Sequence, residues 1–208
     1  IKLAYTTILY YEDPENPGSY LEYQRLRNDT ENRIWVDYQD MPEYMGEAVI
    51  AIEDKRFWNH HGVDWEGTAA AFYKTFSTGS TRGGSTITQQ LIKNTFGNPS
   101  VTVQRKLLEI FQATQMEKSY DKRTIMEYYL NIIYLGQNCN GIKAAAETYY
   151  GKELDKLTAA ECASIIAITN SPTYYDPYQN PENNWQRTRD ILWFMRNQGY
   201  LTEAQYQL

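Results

Sequence analysis

The stretch Ile50–Gly62, I-A-I-E-D-K-R-F-W-N-H-H-G, gathers the side chains of this chain best suited to chemistry. An apolar run delivers Glu53 and Asp54 side by side, and a basic pair, two aromatics and His60 and His61 follow. A carboxylate at the end of an apolar helix can be partly desolvated, which makes it a candidate proton carrier near neutral pH. Taken alone, the pair is an ordinary solvated helix end. The charge pattern downstream gives it a different weight.

From Gly67 to Leu108 there is no Asp or Glu, although the chain holds 26 acids in 208 residues. The same window carries Lys74, Arg82, Lys93, Arg105 and Lys106. Surface faces usually mix signs, so a basic window in an acidic protein suggests an anion site. The window also contains R-G-G-S-T-I-T, a glycine turn opening into a helix, whose N-terminal amides and dipole suit phosphate. No G-K-[ST] follows the glycines, so a nucleotide is not the favoured ligand. Acids return at Glu109, four residues after Arg105 and three after Lys106, on one helical face.

Two carboxylates flanking a substrate are the equipment of a glycoside hydrolase. A basic segment between Glu53 and Glu109 changes that expectation. A diphosphate leaving group needs its developing charge neutralised more than it needs a proton, and cations or a divalent metal do this. The combination favours sugar transfer from a diphosphate donor.

These residues must be positioned by helices. Met45, Ala48, Val49 and Ile52 share one face over 43–54. Asp64 is placed to cap a helix running to about Ser77, and Ser85 the helix T-I-T-Q-Q-L-I-K-N-T-F. A long helix is expected from about Thr102 to Lys118, and another after Asp121 with the stripe Ile125, Tyr129, Ile132, Ile133. G-I-K-A-A-A-E-T-Y-Y-G is a short helix closed by Gly151. Thr158 and Glu161 form a capping box before a buried alanine-rich helix, and a last long helix covers 182–198. The N-terminal region differs: I-K-L-A-Y-T-T-I-L-Y-Y and R-I-W-V-D-Y read as two short extended runs around a D-P-E-N-P-G turn. The chain is therefore mainly α, divided into an N-terminal linker region with short strands (1–40) and a larger domain (41–208).

Composition sets further bounds. With 42% apolar and 22% charged residues the chain is an ordinary folded protein, and a net charge of −6 argues against nucleic acid as a partner. Cys139 and Cys162 lack metal-ligand spacing and are read as buried small apolar residues, with a disulfide as the lesser reading. No apolar run is long enough to span a membrane.

Five segments, in order, resemble the motifs of the peptidoglycan glycosyltransferases, glycosyltransferase family 51, the polymerase domain of class A penicillin-binding proteins. E-D-K-R-F-W-N-H-H-G is similar to ED-x-x-F-x-x-H-x-G, and G-G-S-T-I-T-Q-Q-L-I-K-N matches the second motif closely. R-K-L-L-E at 105–109 resembles R-K-x-x-E, K-R-T-I-M-E-Y-Y-L-N at 122–131 resembles the fourth motif, and Glu161–Leu192 the fifth. The resemblance implies a lysozyme-like fold with a head and a jaw, and polymerisation of lipid II into a β-1,4 glycan by inverting transfer. It implies Glu53 as general base and Glu109 acting beside the leaving group through a divalent cation (Mg or Mn), with no organic cofactor. Asp54 and His60 would shape the site. Arg82, Ser85, Thr86, Gln90, Lys93, Asn94, Arg105, Lys106, Asn170 and Arg187 would contact substrate and its diphosphate, while Glu127 would be structural. The implied partners are lipid II, the growing glycan strand, the membrane surface and a C-terminal transpeptidase domain in a longer protein. That protein would sit on the outer face of the bacterial plasma membrane, anchored by an N-terminal helix absent from this chain. A-A-A-F-Y-K-T-F could dip into the membrane interface or be an ordinary core helix. One departure is Val101, where the family often carries an arginine four residues before the Arg105–Lys106 pair. A glycan-cleaving hydrolase of the same fold is the alternative. A binding domain with a decayed site is a weaker one, since both glutamates are present.

Overall fold

A computed structural model describes residues 7–13, 16–26, 32–69, 84–96 and 102–207 of the chain. Apart from the helix expected after Asp64, of which only residues 65–69 are described, the expected helices form, and their ends follow from local chemistry. Helix α1 covers Glu43–Glu53 and buries Met45, Ala48, Val49, Ile50 and Ala51. Helix α2 (Ile87–Phe96) and α3 (Val103–Ser119) follow, with Thr102 Oγ1 capping α3 by accepting from the Arg105 N–H. Asp121 caps α4 (Lys122–Ile132) through the Thr124 N–H. Helix α5 (Ile142–Tyr150) ends at Gly151, whose left-handed φ of 60° is the conformation that glycine adopts without strain. The Thr158–Glu161 capping box opens α6 (Ala159–Ala167). Helix α7 (Pro181–Asn197) starts on a proline, which suits a first turn that needs no N–H, and the short α8 covers Glu203–Gln207.

Two differences from the sequence reading concern the ends of elements. β1 (Thr7–Glu12) pairs antiparallel with β2 (Tyr20–Leu26), so the hairpin partner is this segment and not R-I-W-V-D-Y. Residues 33–37 run extended without a strand partner, tied instead to α4: the Val36 N–H donates to Asn131 Oδ1 at 2.9 Å and the Tyr38 N–H to Glu127 Oε2 at 3.0 Å. Trp35 Nε1 also donates to Glu127, at 3.2 Å, which gives that carboxylate a structural role. The second difference is the cap of α2. Thr86, not Ser85, holds it, with Thr86 Oγ1 accepting from the Gln89 N–H and Gln89 Oε1 accepting from the Thr86 N–H. This is a capping box with glutamine in the third position.

Helix α1 is the central element. It packs on α6 and α7, while α2 packs on α3 and α4. Helix α6 can be buried almost all round because Cys162, Ala163, Ile165, Ile166 and Ala167 carry no charge. Both cysteines are buried and form no disulfide, and burial pushes the Cys162 thiol up to about 12. Asp64 caps the helix that begins at 65, by accepting from the Gly67 N–H. The expected extension of that helix over residues 70–77, Arg82, Val101 and the segment G-N-P-S lie outside the described residues.

Candidate active site

Helix α1 ends between Glu53 and Asp54, and that ending separates their roles. Glu53 is the last helical residue and points into a cleft of about 390 Å³ lined also by Ser85, Gln89, Gln90, Lys93, Asn94, Glu109, Tyr129, Tyr134 and Asn170. Asp54 leaves the helix with φ −154° and ψ 69°, and its side chain is 1% exposed. Its Oδ2 accepts from the Ile87 N–H at 3.0 Å and contacts His60 Nε2 at 2.8 Å. The carboxylate thus caps the start of α2 and welds it to the end of α1.

A buried polar network continues beneath the cleft. Lys122 Nζ reaches His60 Nδ1 at 3.3 Å and Glu117 Oε2 at 2.7 Å, and Thr88 Oγ1 donates to Glu117. Because a carboxylate only accepts and an ammonium only donates, His60 carries its proton on Nε2 and accepts on Nδ1. Burial holds the Lys122 ammonium below its ordinary pKa, against the opposing pull of Glu117. Asp54 and His60 therefore act below the cleft rather than on its wall. Glu117 and Lys122 are residues that the sequence reading missed: Glu117 falls at a helix end among solvated charges, and only the fold turns it inward.

Removing one member of such a network strands the others, at a cost of about 3–5 kcal/mol. Asp54→Ala is accordingly expected to destabilise the chain by about that amount, measured by urea unfolding. Gly62 closes the same turn. Its φ is +86° and an added Cβ would lie 2.7 Å from the carbonyl carbon of Ala113 on α3, so the turn needs glycine for both conformation and space. The Gly62 carbonyl accepts from Thr86 Oγ1 at 2.7 Å, which takes Thr86, 1% exposed, away from the cleft.

Glu53 is held by donors on two sides. Gln90 Nε2 lies 3.1 Å from Oε2, and Arg187 Nη2 lies 3.3 Å from Oε1 with its guanidinium over the Tyr175 ring. Tyr129 Oη donates to Gln90 Oε1 at 3.1 Å, which fixes which way the Gln90 amide faces. Burial, reinforced by Glu53, pushes the Tyr129 phenol well up, so it remains a donor. Tyr129 belongs to the fourth motif, where the sequence reading had only an apolar stripe. Tyr129→Phe keeps the packing and removes the donor, so we expect a fall in kcat of about 2–10-fold with KM and melting temperature little changed. Steady-state kinetics beside a thermal melt would check this.

Glu109, which also lines the cleft, is 6% exposed on α3, and Lys106 sits one turn before it. Lys106 Nζ contacts the Glu109 carboxylate and donates to Ser85 Oγ at 2.9 Å. Lys93 and Asn94 reach the cleft from α2, and Asn170 from the turn after α6. Arg105 stands on α3 one turn before Glu109 without lining the cleft among the described residues. The helix N-terminus expected to hold phosphate is already engaged. The amides of Thr86, Ile87 and Gln89 all go to protein oxygens. Among the described residues no three His, Cys, Asp or Glu side chains converge on one point. A divalent cation would find Glu109 there as its protein ligand, with its remaining ligands from a phosphate-bearing substrate.

Glu53 and Glu109 both line the cleft, each beside a cation, Arg187 for Glu53 and Lys106 for Glu109. Residues 20–196 match the sequence family described as Transglycosylase. The chain is 39% identical over 189 residues to the monofunctional glycosyltransferase of Staphylococcus aureus (strain Newman), covering 88% of this chain and 70% of that protein. It is 42% identical over 174 residues to penicillin-binding protein 1F of Bacillus subtilis, covering 83% of this chain and 24% of that one. It also resembles the crystal structure of penicillin-binding protein 1A from Haemophilus influenzae, with a TM-score of 0.54 at 18% identity over 99% of this chain and 20% of that chain, a likeness of fold. The chain belongs to the transglycosylase family, as a peptidoglycan glycosyltransferase domain. It spans about a quarter of the penicillin-binding proteins that it matches.

Proposed function

We propose that this domain polymerises lipid II, joining the 4-OH of one GlcNAc to C1 of a donor MurNAc. The observation that carries this reading is the cleft itself, which Glu53, Ser85 and Glu109 line together, with Lys106 Nζ joining Ser85 to Glu109. Glu53 takes the acceptor hydroxyl proton as that oxygen attacks C1. The C1–O bond to the diphosphate breaks, its electron pair leaves with the diphosphate, and the α-linkage inverts to β. Lys106, Lys93 and Ser85 hold the leaving diphosphate, where fixed cations stabilise charge as it develops. A divalent cation bound between Glu109 and the diphosphate would add counter-charge at the same place.

The lipid-linked donor calls for a membrane surface, and α3 supplies a face for it. Val103, Leu107 and Phe111, spaced by four, are 76%, 62% and 60% exposed, and Leu108 stands beside them. No described helix is long and apolar enough to cross a membrane. In the whole protein we place an N-terminal anchoring helix and a C-terminal transpeptidase domain around this one, on the outer face of the plasma membrane. Labelled lipid II in detergent with a divalent cation, resolved by chain length, tests the reading. A ladder of long glycan supports it. Shortening of preformed glycan without polymer formation overturns it in favour of a hydrolase.

A further inference from the structure

A second cavity, of about 450 Å³, lies outside the cleft and is lined by Tyr38, Glu43, Glu47, Trp58, Met126 and Tyr200 among others. Helices α1 and α4 separate the two spaces: on α4, Met126 and Leu130 line this cavity while Tyr129, with Ile133 just past the helix end, lines the cleft. Its walls are aromatic and apolar, and the described residues lining it include two carboxylates and no lysine or arginine. Glu43 and Glu47, four residues apart on α1, share one face, where like charges repel. Glu47 Oε2 is buried from solvent and has no hydrogen-bond partner among the described residues. A buried carboxylate oxygen left in this way carries a desolvation cost that a bound donor would remove.

We infer that this cavity binds an organic cation, a guanidinium or ammonium head on an apolar stem, with Glu47 as its counter-ion and Trp58 and Tyr200 as its aromatic walls, the Tyr38 ring already having the Arg123 guanidinium over it at 6.0 Å. Three features fit that chemistry together. The unpartnered oxygen needs a donor, the paired acids need a positive charge, and aromatic faces attract cations within about 6 Å of the ring. The apolar residues Met41, Pro42, Ile50 and Met126 take the stem. Trp58, 46% exposed, stands at the mouth and leaves the cavity open to a ligand. Burial, with Glu43 adding to it, pushes the Glu47 carboxyl up to about 7. The other titratable groups lining the cavity are Glu43, Tyr38 and Tyr200, and burial holds the Tyr200 phenol above its ordinary value. A cation therefore binds more weakly where Glu47 is protonated.

Calorimetric titration of the chain with butylguanidinium, with its neutral isostere butylurea, and with an acetylated Gly-Arg-Gly amide tests this. We expect saturable binding of the guanidinium, at least tenfold stronger than that of the urea and about tenfold weaker at pH 6 than at pH 8. Glu47→Gln should erase the preference for charge, and Trp58→Leu should weaken binding several-fold. Both variants should keep the melting temperature of the parent within a few degrees, and the Glu47 variant should retain glycosyl transfer. Tighter binding of the free guanidinium than of the peptide identifies a small molecule as the source, and the reverse order a polypeptide side chain. Either order upholds the site. Equal affinity for guanidinium and urea, an unchanged preference in Glu47→Gln, or no saturation by about 10 mM would overturn it.

Discussion

Glu53→Gln is expected to reduce glycan polymerisation from lipid II by about 10²–10⁴-fold while leaving the fold intact. Glutamine keeps the length and shape of the side chain, and the contacts with Gln90 and Arg187 are at the surface of a cleft rather than in the core. What it removes is the ability to take a proton. Because the group acts in the chemical step, kcat should fall while lipid II binding stays near that of the parent. Melting temperature and single-turnover kinetics measured together would separate this from misfolding. Polymerisation by the variant at the parent rate would remove Glu53 from the role of base.

Lys106→Gln carries the second large effect, a loss of about 10²–10³-fold in kcat/KM. Lys106 does two things at once. It neutralises Glu109, which is 6% exposed on α3, and it holds Ser85, which lines the cleft, through a hydrogen bond to Oγ. Without the ammonium, Glu109 faces the leaving group as an uncompensated negative charge, which opposes departure of a diphosphate. The double variant Lys106→Gln, Glu109→Gln distinguishes this from simple loss of a phosphate contact. Partial recovery over the single lysine variant shows that stranded Glu109 is the cause. An equal or larger loss in the double variant means that both side chains contact substrate directly. Because the two groups touch, their effects should not add.

Much of this architecture follows from local sequence. Helix α4 begins at Asp121 and α6 at Thr158 because short polar side chains cap the first free amides, and α5 stops at Gly151 because glycine accepts a left-handed φ. The five motifs in order identify the family, which the family match over residues 20–196 bears out. Periodicity also placed the apolar faces of α1 and α4 correctly, since burial on one side of a helix leaves a pattern in the chain.

What local sequence could not decide was direction. Glu53 and Asp54 are adjacent carboxylates, and residue type alone treats them as equivalents. The tertiary structure separates them because α1 ends between them: Glu53 stays on the helix and faces the cleft, whereas Asp54 turns out of it to meet the Ile87 amide and His60. For the same reason the N-terminus of α2, which by sequence was open to phosphate, is already occupied by a carboxylate of its own chain. Glu117 shows the effect most plainly, since nothing near it in sequence announces Lys122, His60 and Thr88 as its neighbours. Composition and spacing determine which groups are present and which helices carry them. Only the packing of those helices decides which charges meet one another and which are left for substrate.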